Sequence, residues 1–353
     1  MSETTAARPR LSVLDLVPVR RAQSTGEALA ASRSLAQVAD AAGYERYWVA
    51  EHHNMPAVAA TNPPVIIAML AAATERIRVG SGGVMLPNHA PLAVAEQFAL
   101  LEAAYPGRID LGIGRAPGSD PVTSYALRHG GPVGGDDEAV ARFAEHVGNV
   151  VAMMSPDGVG VQVQGRTHEL RATPVATSVP QLWLLGSSDY SAHLAAQRGL
   201  PYVFAHHFSG EGTERALEIY RREFRPSAEL DAPRTFLTVN AAVAETDAEA
   251  RRRARPQQLM MLALRTGAPL GPQLSVEEAA AVELPPSHQE FADAMLARWV
   301  VGDAATARAQ VATLAATYGV DEVMVNPVDG ATDGTPMTAA PAREETLRLL
   351  AAA

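Results

Sequence analysis

The chain has 353 residues and a formal charge of −10, from 29 basic and 39 acidic side chains. Every basic residue is Arg and there is no Cys. This excludes a lysine Schiff base, a P-loop lysine, thiol catalysis, iron–sulfur clusters, thiolate zinc and disulfides. An acidic chain whose longest basic run is Arg251-Arg252-Arg253 does not match nucleic acid, and no apolar stretch reaches the ~18 residues of a spanning helix.

In chain order, Met1 to Arg10 reads as a short, disordered polar tail without the pattern of a secretory signal, so a cytoplasmic protein is expected. Apolar, β-branched runs then occur at Leu11–Val19, Arg46–Glu51, Ile77–Leu86, Arg108–Gly114, Gln181–Gly186, Pro201–His206, Thr235–Ala244 and Glu322–Val328. They are continuously apolar rather than alternating, as parallel strands covered on both faces must be. Helical segments such as Glu27–Ala42, Pro63–Thr74, Pro91–Ala104 and Tyr190–Arg198 lie between them. Pro63 and Pro91 suit a first helical turn, and Gly43, Gly199 and Gly319 suit the left-handed residue after a last turn. Eight strand–helix units predict a single (β/α)8 TIM barrel over residues 11–353, with a doubly wound sheet as its rival. Val159–Arg171 reads as a hairpin turning near Gln164-Gly165. Pro256–Gln289, rich in Gly and Pro and without clear period, reads as an insertion after the seventh strand, either a functional lid or a disordered connector.

In a barrel, chemistry gathers at the C-terminal ends of the strands. Those ends carry Glu51-His52-His53-Asn54, Gly80-Ser81-Gly82-Gly83, Gly114-Arg115, Gly186-Ser187-Ser188, His206-His207 and Asn326. Adjacent strand residues point to opposite sides, so each His-His pair sends one ring inward, and no metal site is expected. His52 suits a general acid or base. Gly112-Ile113-Gly114 with Gly118 is only a weak dinucleotide signal, because Pro117 and Pro121 break the helix that a dinucleotide loop would open. Arg115 at a strand tip suits a ligand anion, as does a helix N-terminus behind Ser187 and Ser188, both able to cap it. Glycines within the run Gly80–Gly83 predict close approach of a flat ligand or a bulge.

Three stretches carry a resemblance to a known family. They are Ala42-Gly43-Tyr44 through Trp48-Val49-Ala50-Glu51-His52-His53, then Arg76-Ile77-Arg78-Val79-Gly80 to Leu86-Pro87, then Gly107-Arg108-Ile109-Asp110-Leu111-Gly112-Ile113-Gly114-Arg115. Over most of its length the chain resembles the bacterial luciferase-like flavin monooxygenases, and in particular their single-subunit members that emit no light. The resemblance implies a (β/α)8 barrel that takes reduced FMN (FMNH2) from a separate flavin reductase. By way of a flavin hydroperoxide, it would insert one oxygen atom of O2 into a small organic substrate. By position, His52 matches the catalytic histidine and Arg115 the phosphate-binding arginine, with Ser187, Ser188 and Ser191 on the phosphate loop. Gly82-Gly83 matches a dipeptide with a cis bond under the flavin ring, Glu51 joins the cofactor set, and 256–289 matches the mobile lid. Gly114 stands in place of a reactive cysteine, so light emission is not implied; Ser187 stands in place of an acidic residue, which leaves phosphate binding in the expectation. A homodimer is expected from the same resemblance. Two alternatives stand beside it: a deazaflavin-dependent hydride-transfer enzyme on the same barrel, and a non-catalytic flavin carrier.

Overall fold

In the computed structural model, residues 8–116, 120–128 and 141–352 are described. Twelve strands occur among them: β1 (Arg10–Asp15), β2 (Arg46–Val49), β3 (Arg78–Ser81), β4 (Val84–Met85), β5 (Ile109–Gly114), β6 (Val159–Val163), β7 (Arg166–Leu170), β8 (Gln181–Gly186), β9 (Tyr202–Phe204), β10 (Thr235–Val243), β11 (Val300–Gly302) and β12 (Glu322–Pro327). The helices are α1 (Thr25–Ala41), α2 (Pro63–Ala71), α3 (Pro91–Ala104), α4 (Pro121–Leu127), α5 (Phe143–Met154), α6 (Asp189–Arg198), α7 (Thr213–Glu223), α8 (Asp247–Thr266), α9 (Val276–Ala280), α10 (Pro286–Leu296), α11 (Ala304–Tyr318) and α12 (Pro341–Ala351).

Eight parallel strands close in the order β1-β2-β3-β5-β8-β9-β10-β12, with β12 paired back onto β1. Seven lie within the apolar runs and β1 begins one residue before its run, and the chain is a (β/α)8 TIM barrel. The helices begin where the caps predict. Ser24 and Glu27 form a capping box on α1, Asn62 and Pro63 open α2, and Gly199 and Gly319 end α6 and α11 in the left-handed conformation. The hairpin β6–β7 turns at Gln164-Gly165, both with positive φ.

The structure departs from the sequence reading in four places. Residues 1–7 of the expected tail lie outside the described residues, as does Gly118. Arg10 already pairs with Glu322, and Arg8 donates to the Ala352 carbonyl at 2.9 Å. The run Ile77–Leu86 is two strands, because Gly82 and Gly83 interrupt it. Finally, 256–289 is largely helical rather than irregular. Pro256 sits inside α8, where it removes one intrahelical hydrogen bond, and the nearby Arg253 carbonyl accepts from Gly330 N–H at 2.8 Å. The short β11, absent from the sequence reading, adds to the outer end of β10.

Inside the barrel, Leu14, Trp48, Trp183, Val203, Phe236 and Met324 form a closed apolar layer. Beneath it, fully buried Arg46 donates to Glu322 (2.6 and 3.1 Å) and to Asp110 (2.7 Å), which also takes Arg78 and Trp48 Nε1. Leu14 and Trp183 are therefore core residues. Phe204 is core as well, facing the helices rather than the lumen. A filled middle and a sealed floor leave only the C-terminal mouth open to chemistry.

Candidate active site

The tip of β2 is built around Glu51, which is 1% exposed. One of its oxygens accepts from His53 Nε2 at 2.8 Å and His89 Nε2 at 2.7 Å, and the other accepts from Met85 N–H at 3.0 Å. Burial alone would raise the Glu51 pKa; the hydrogen bonds from His89, His53 and Met85 outweigh it and hold the carboxyl below its ordinary value. His89, just after a 3-10 turn at Leu86–Asn88, escaped the sequence reading because no local pattern ties it to Glu51. Candidate ligand atoms of Glu51, His53 and His89 lie within 4.8 Å of one another. At 2.7 and 2.8 Å the ring-to-carboxylate contacts are hydrogen bonds.

Alternation sorts both histidine pairs. His53 is tied to Glu51, while half-buried His52 has an enclosed Nδ1 with no partner among the described residues. At the other tip, His206 bonds Thr213 Oγ1 at 2.8 Å and packs on the Tyr318 ring, while His207 bonds Thr238 Oγ1. Burial lowers the pKa of His52, with Glu51 partly opposing. Burial, then the neighbouring His52, takes His207 down to about 4. Both inward rings are therefore neutral near pH 7, so either can accept a proton at a free ring nitrogen or donate its N–H. Asn326 donates to Asn240 at 2.8 Å, and Asn240 donates to the His207 carbonyl at 3.1 Å, which anchors this tip.

Between the two histidine tips in the strand order, the ends of β5 and β8 carry the next polar groups. Arg115 follows β5, lies 4.2 Å from the Tyr190 ring, and pairs with no acid among the described residues. Tyr190 is in the first turn of α6, so the guanidinium stands against that helix N-terminus. Ser188 occupies the N-cap position without a side-chain cap bond, and Ser187 and Ser188 are both exposed, which corrects the expected capping. Asp189 is turned away to Arg215 at 2.7 Å. An uncapped helix start beside a guanidinium that pairs with no acid among the described residues has the chemistry to receive an oxoanion. Ser191, only 2% exposed, packs beneath Gly186: a Cβ there would come 2.6 Å from the Ser191 Cβ.

The glycines divide into two kinds. A Cβ on Gly80 would meet Asp110 and Trp48 at under 3 Å, one on Gly82 would meet Leu14 at 2.8 Å, and one on Gly83 the Gly112 carbonyl at 2.8 Å. Their missing side chains let neighbouring strands and rings close up. At Gly114 the nearest atom to an added Cβ is 3.9 Å away, so space remains between β5 and the mouth. The Gly82–Gly83 peptide bond is cis, as the resemblance implies.

A closed barrel, sealed at its floor, gathers these histidines and Arg115 at the C-terminal mouth, where barrel enzymes carry their chemistry. Comparison with known proteins agrees. The family model described as "Luciferase-like monooxygenase" matches residues 10–322, and the chain belongs to that family. It is 40% identical over 317 residues to a "Luciferase-like monooxygenase" of Escherichia coli (strain K12), covering 89% of this chain and 90% of that protein. It is also 41% identical over 217 residues to the "N-acetyl-S-alkylcysteine monooxygenase" of Bacillus subtilis (strain 168), covering 61% of each. Among solved structures, apo-MsnO8 matches at 34% identity with a TM-score of 0.82 over 97% of both chains. The fold alone is shared with two others. One is the oxygenating constituent of 3,6-diketocamphane monooxygenase in complex with FMN (18%, TM-score 0.67, 97% of both chains). The second is an F420-dependent secondary alcohol dehydrogenase (14%, TM-score 0.66, 98% of this chain and 99% of that one). Structural neighbours thus bind a flavin or F420. No helix among the described residues is long and apolar enough to cross a membrane.

Proposed function

We propose that the protein is the oxygenase of a two-component system, using reduced FMN from a separate reductase to transfer one atom of O2 to a small organic substrate. The observation that carries this is Arg115, free of any acid among the described residues and held against the uncapped start of α6. That cradle fits the 5′-phosphate of FMN, and the open side of Gly114 fits close approach of a flat ring. When bound, reduced FMN supplies two electrons, so that one oxygen atom enters the substrate and the other leaves as water.

Arg115 and the first N–H groups of α6, with Ser187 and Ser188, orient the phosphate, and Ser191 supports their backbone from below. Glu51, clamped by His53 and His89, anchors the β2 tip from which His52 projects. His52, neutral and short of one partner, holds or passes a proton at Nδ1. Gly82 and Gly83 bring β3 and β4 close beside β5. The helices of 256–289 act as the lid that keeps water out. The protein works as a homodimer in the cytoplasm.

The test is anaerobic titration with reduced FMN, followed by rapid mixing with oxygenated buffer. Reoxidation much slower than that of free FMN is expected, and faster again in His52→Ala with binding retained. Reoxidation indistinguishable from free FMN, together with tight binding of a reduced deazaflavin, would replace this reading with hydride transfer.

A further inference from the structure

A cavity of about 160 Å³ opens between the loop after β9 and the helices α8 and α10. His207 lies in its wall, and His207 is also the ring whose charge His52 disfavours, so the cavity adjoins the proton-handling side of the mouth. The rest of the wall is of two kinds. Met261, Met295 and Trp299 form an apolar body, and Phe208 and Phe291 at its edge leave 42% and 44% of their surface exposed. Large aromatic faces left open around a concavity mark a place that an apolar group covers.

The second kind is positive charge. Arg265 lies on the Phe208 ring at 4.0 Å and donates through one Nη to the Phe208 carbonyl at 2.6 Å. Arg298 donates through Nη1 to the Ser209 carbonyl at 2.5 Å. Among the described residues, the remaining N–H groups of both guanidiniums carry no close partner. The nearest acid is Glu211, 79% exposed, whose carboxylate stands 3.6 Å from Arg298. Burial keeps His206 and His207 neutral, so the two arginines supply the cavity's positive charge, against one exposed carboxylate, Glu211, in its wall. Both guanidiniums are oriented by a backbone carbonyl and, for Arg265, by an aromatic face, which preorganises them for a planar anion.

We propose that this cavity is the substrate pocket and takes an amphipathic carboxylic acid, with its apolar body against Met261, Met295, Trp299 and Phe291 and its carboxylate on Arg265 and Arg298. The inference rests on the oxygenase reading for the word substrate, and on the cavity alone for the ligand's chemistry. A cavity of ~150 Å³ accommodates a benzene-sized group, so the part enclosed here is of similar size. The carboxylate displaces Glu211, whose exposed side chain loses little on swinging into solvent.

The experiment is calorimetric titration of the full chain, with and without FMN, using phenylacetate and its uncharged analogue phenylacetamide. Phenylacetate is expected to bind at least tenfold more tightly, equivalent to about 1.4 kcal/mol. In the double variant Arg265→Gln, Arg298→Gln that preference disappears while amide binding stays, which also shows that the pocket is intact. Ala294→Trp, at an exposed position on the cavity wall, should block both compounds and leave the arginines untouched. Equal affinity for acid and amide, a preference that survives the double variant, or no binding of either compound would each overturn the inference. Because no turnover is measured, the two readings fail separately. A carboxylate preference without slowed flavin reoxidation would retire the oxygenase and keep the pocket.

Discussion

At the residue scale, two side chains carry charge arguments with opposite consequences for stability. Arg115 supports no acid among the described residues, so its removal should leave the fold alone. Arg115→Ala is expected to weaken reduced-FMN binding about 30-fold, the loss of roughly 2 kcal/mol from a charge-assisted hydrogen bond, with an unchanged Tm. Unaltered binding in an anaerobic titration would remove Arg115 from the cofactor site. Asp329, just beyond β12, is 2% exposed, with one oxygen accepting from Thr346 at 2.7 Å and the other without a partner among the described residues. Burial pushes its pKa up from 3.8 to about 7. The folded value lies above the unfolded one, so its contribution is present below about pH 4 and lost as pH rises through 7. Asp329→Asn removes that loss. The variant's Tm should exceed the parent's at pH 8 and approach it at pH 5; an equal difference at both pH values would show that Asp329 is ionised throughout.

At the element scale, β5 shows how one strand serves both packing and site. A Cβ on Gly112 would lie 2.1 Å from the Ser81 carbonyl oxygen, where β3 and β5 are stitched by Ser81 Oγ at 2.8 and 3.0 Å. Gly112→Ala must push the two strands apart, and a destabilisation near the top of the ~1–3 kcal/mol range for overpacking is expected in denaturant titration. Two residues along the strand, Gly114 has open space beside it. Gly114→Ala should keep the parent stability and weaken flavin binding instead. Were the two variants equally stable, close strand packing would not be what requires glycine at 112.

At the scale of the whole molecule, the barrel floor ties four strands together through charge. Arg46 on β2 meets Glu322 on β12 and Asp110 on β5, and Asp110 also takes Arg78 on β3. The apolar layer above excludes water, so the network has to be complete: each charge is costly to bury unpaired. Arg46→Leu leaves two enclosed carboxylates and should lower stability by about 3–5 kcal/mol, measured by chemical denaturation. A loss under about 1 kcal/mol would mean that water reaches the floor. The same closure confines chemistry to the mouth, where the histidines, Arg115 and the two-arginine cavity all open.

The sequence by itself determined the eight strands, their parallel character, the barrel and the tips where polar residues collect, because local composition, periodicity and capping dictate these. Strand alternation was enough to predict that one ring of each histidine pair turns inward. Tertiary structure alone decided which distant residues meet. His89 joins Glu51 across 38 residues, Tyr190 lies over Arg115, and Arg265 and Arg298 converge on one loop. It also decided that Pro256 sits within a helix and that Gly80, Gly82 and Gly83 serve packing. The reason is physical: a barrel closes by bringing the ends of separate strands to one ring. The side chains that become neighbours there share no sequence pattern, only a position set by strand register and by what the filled interior leaves open.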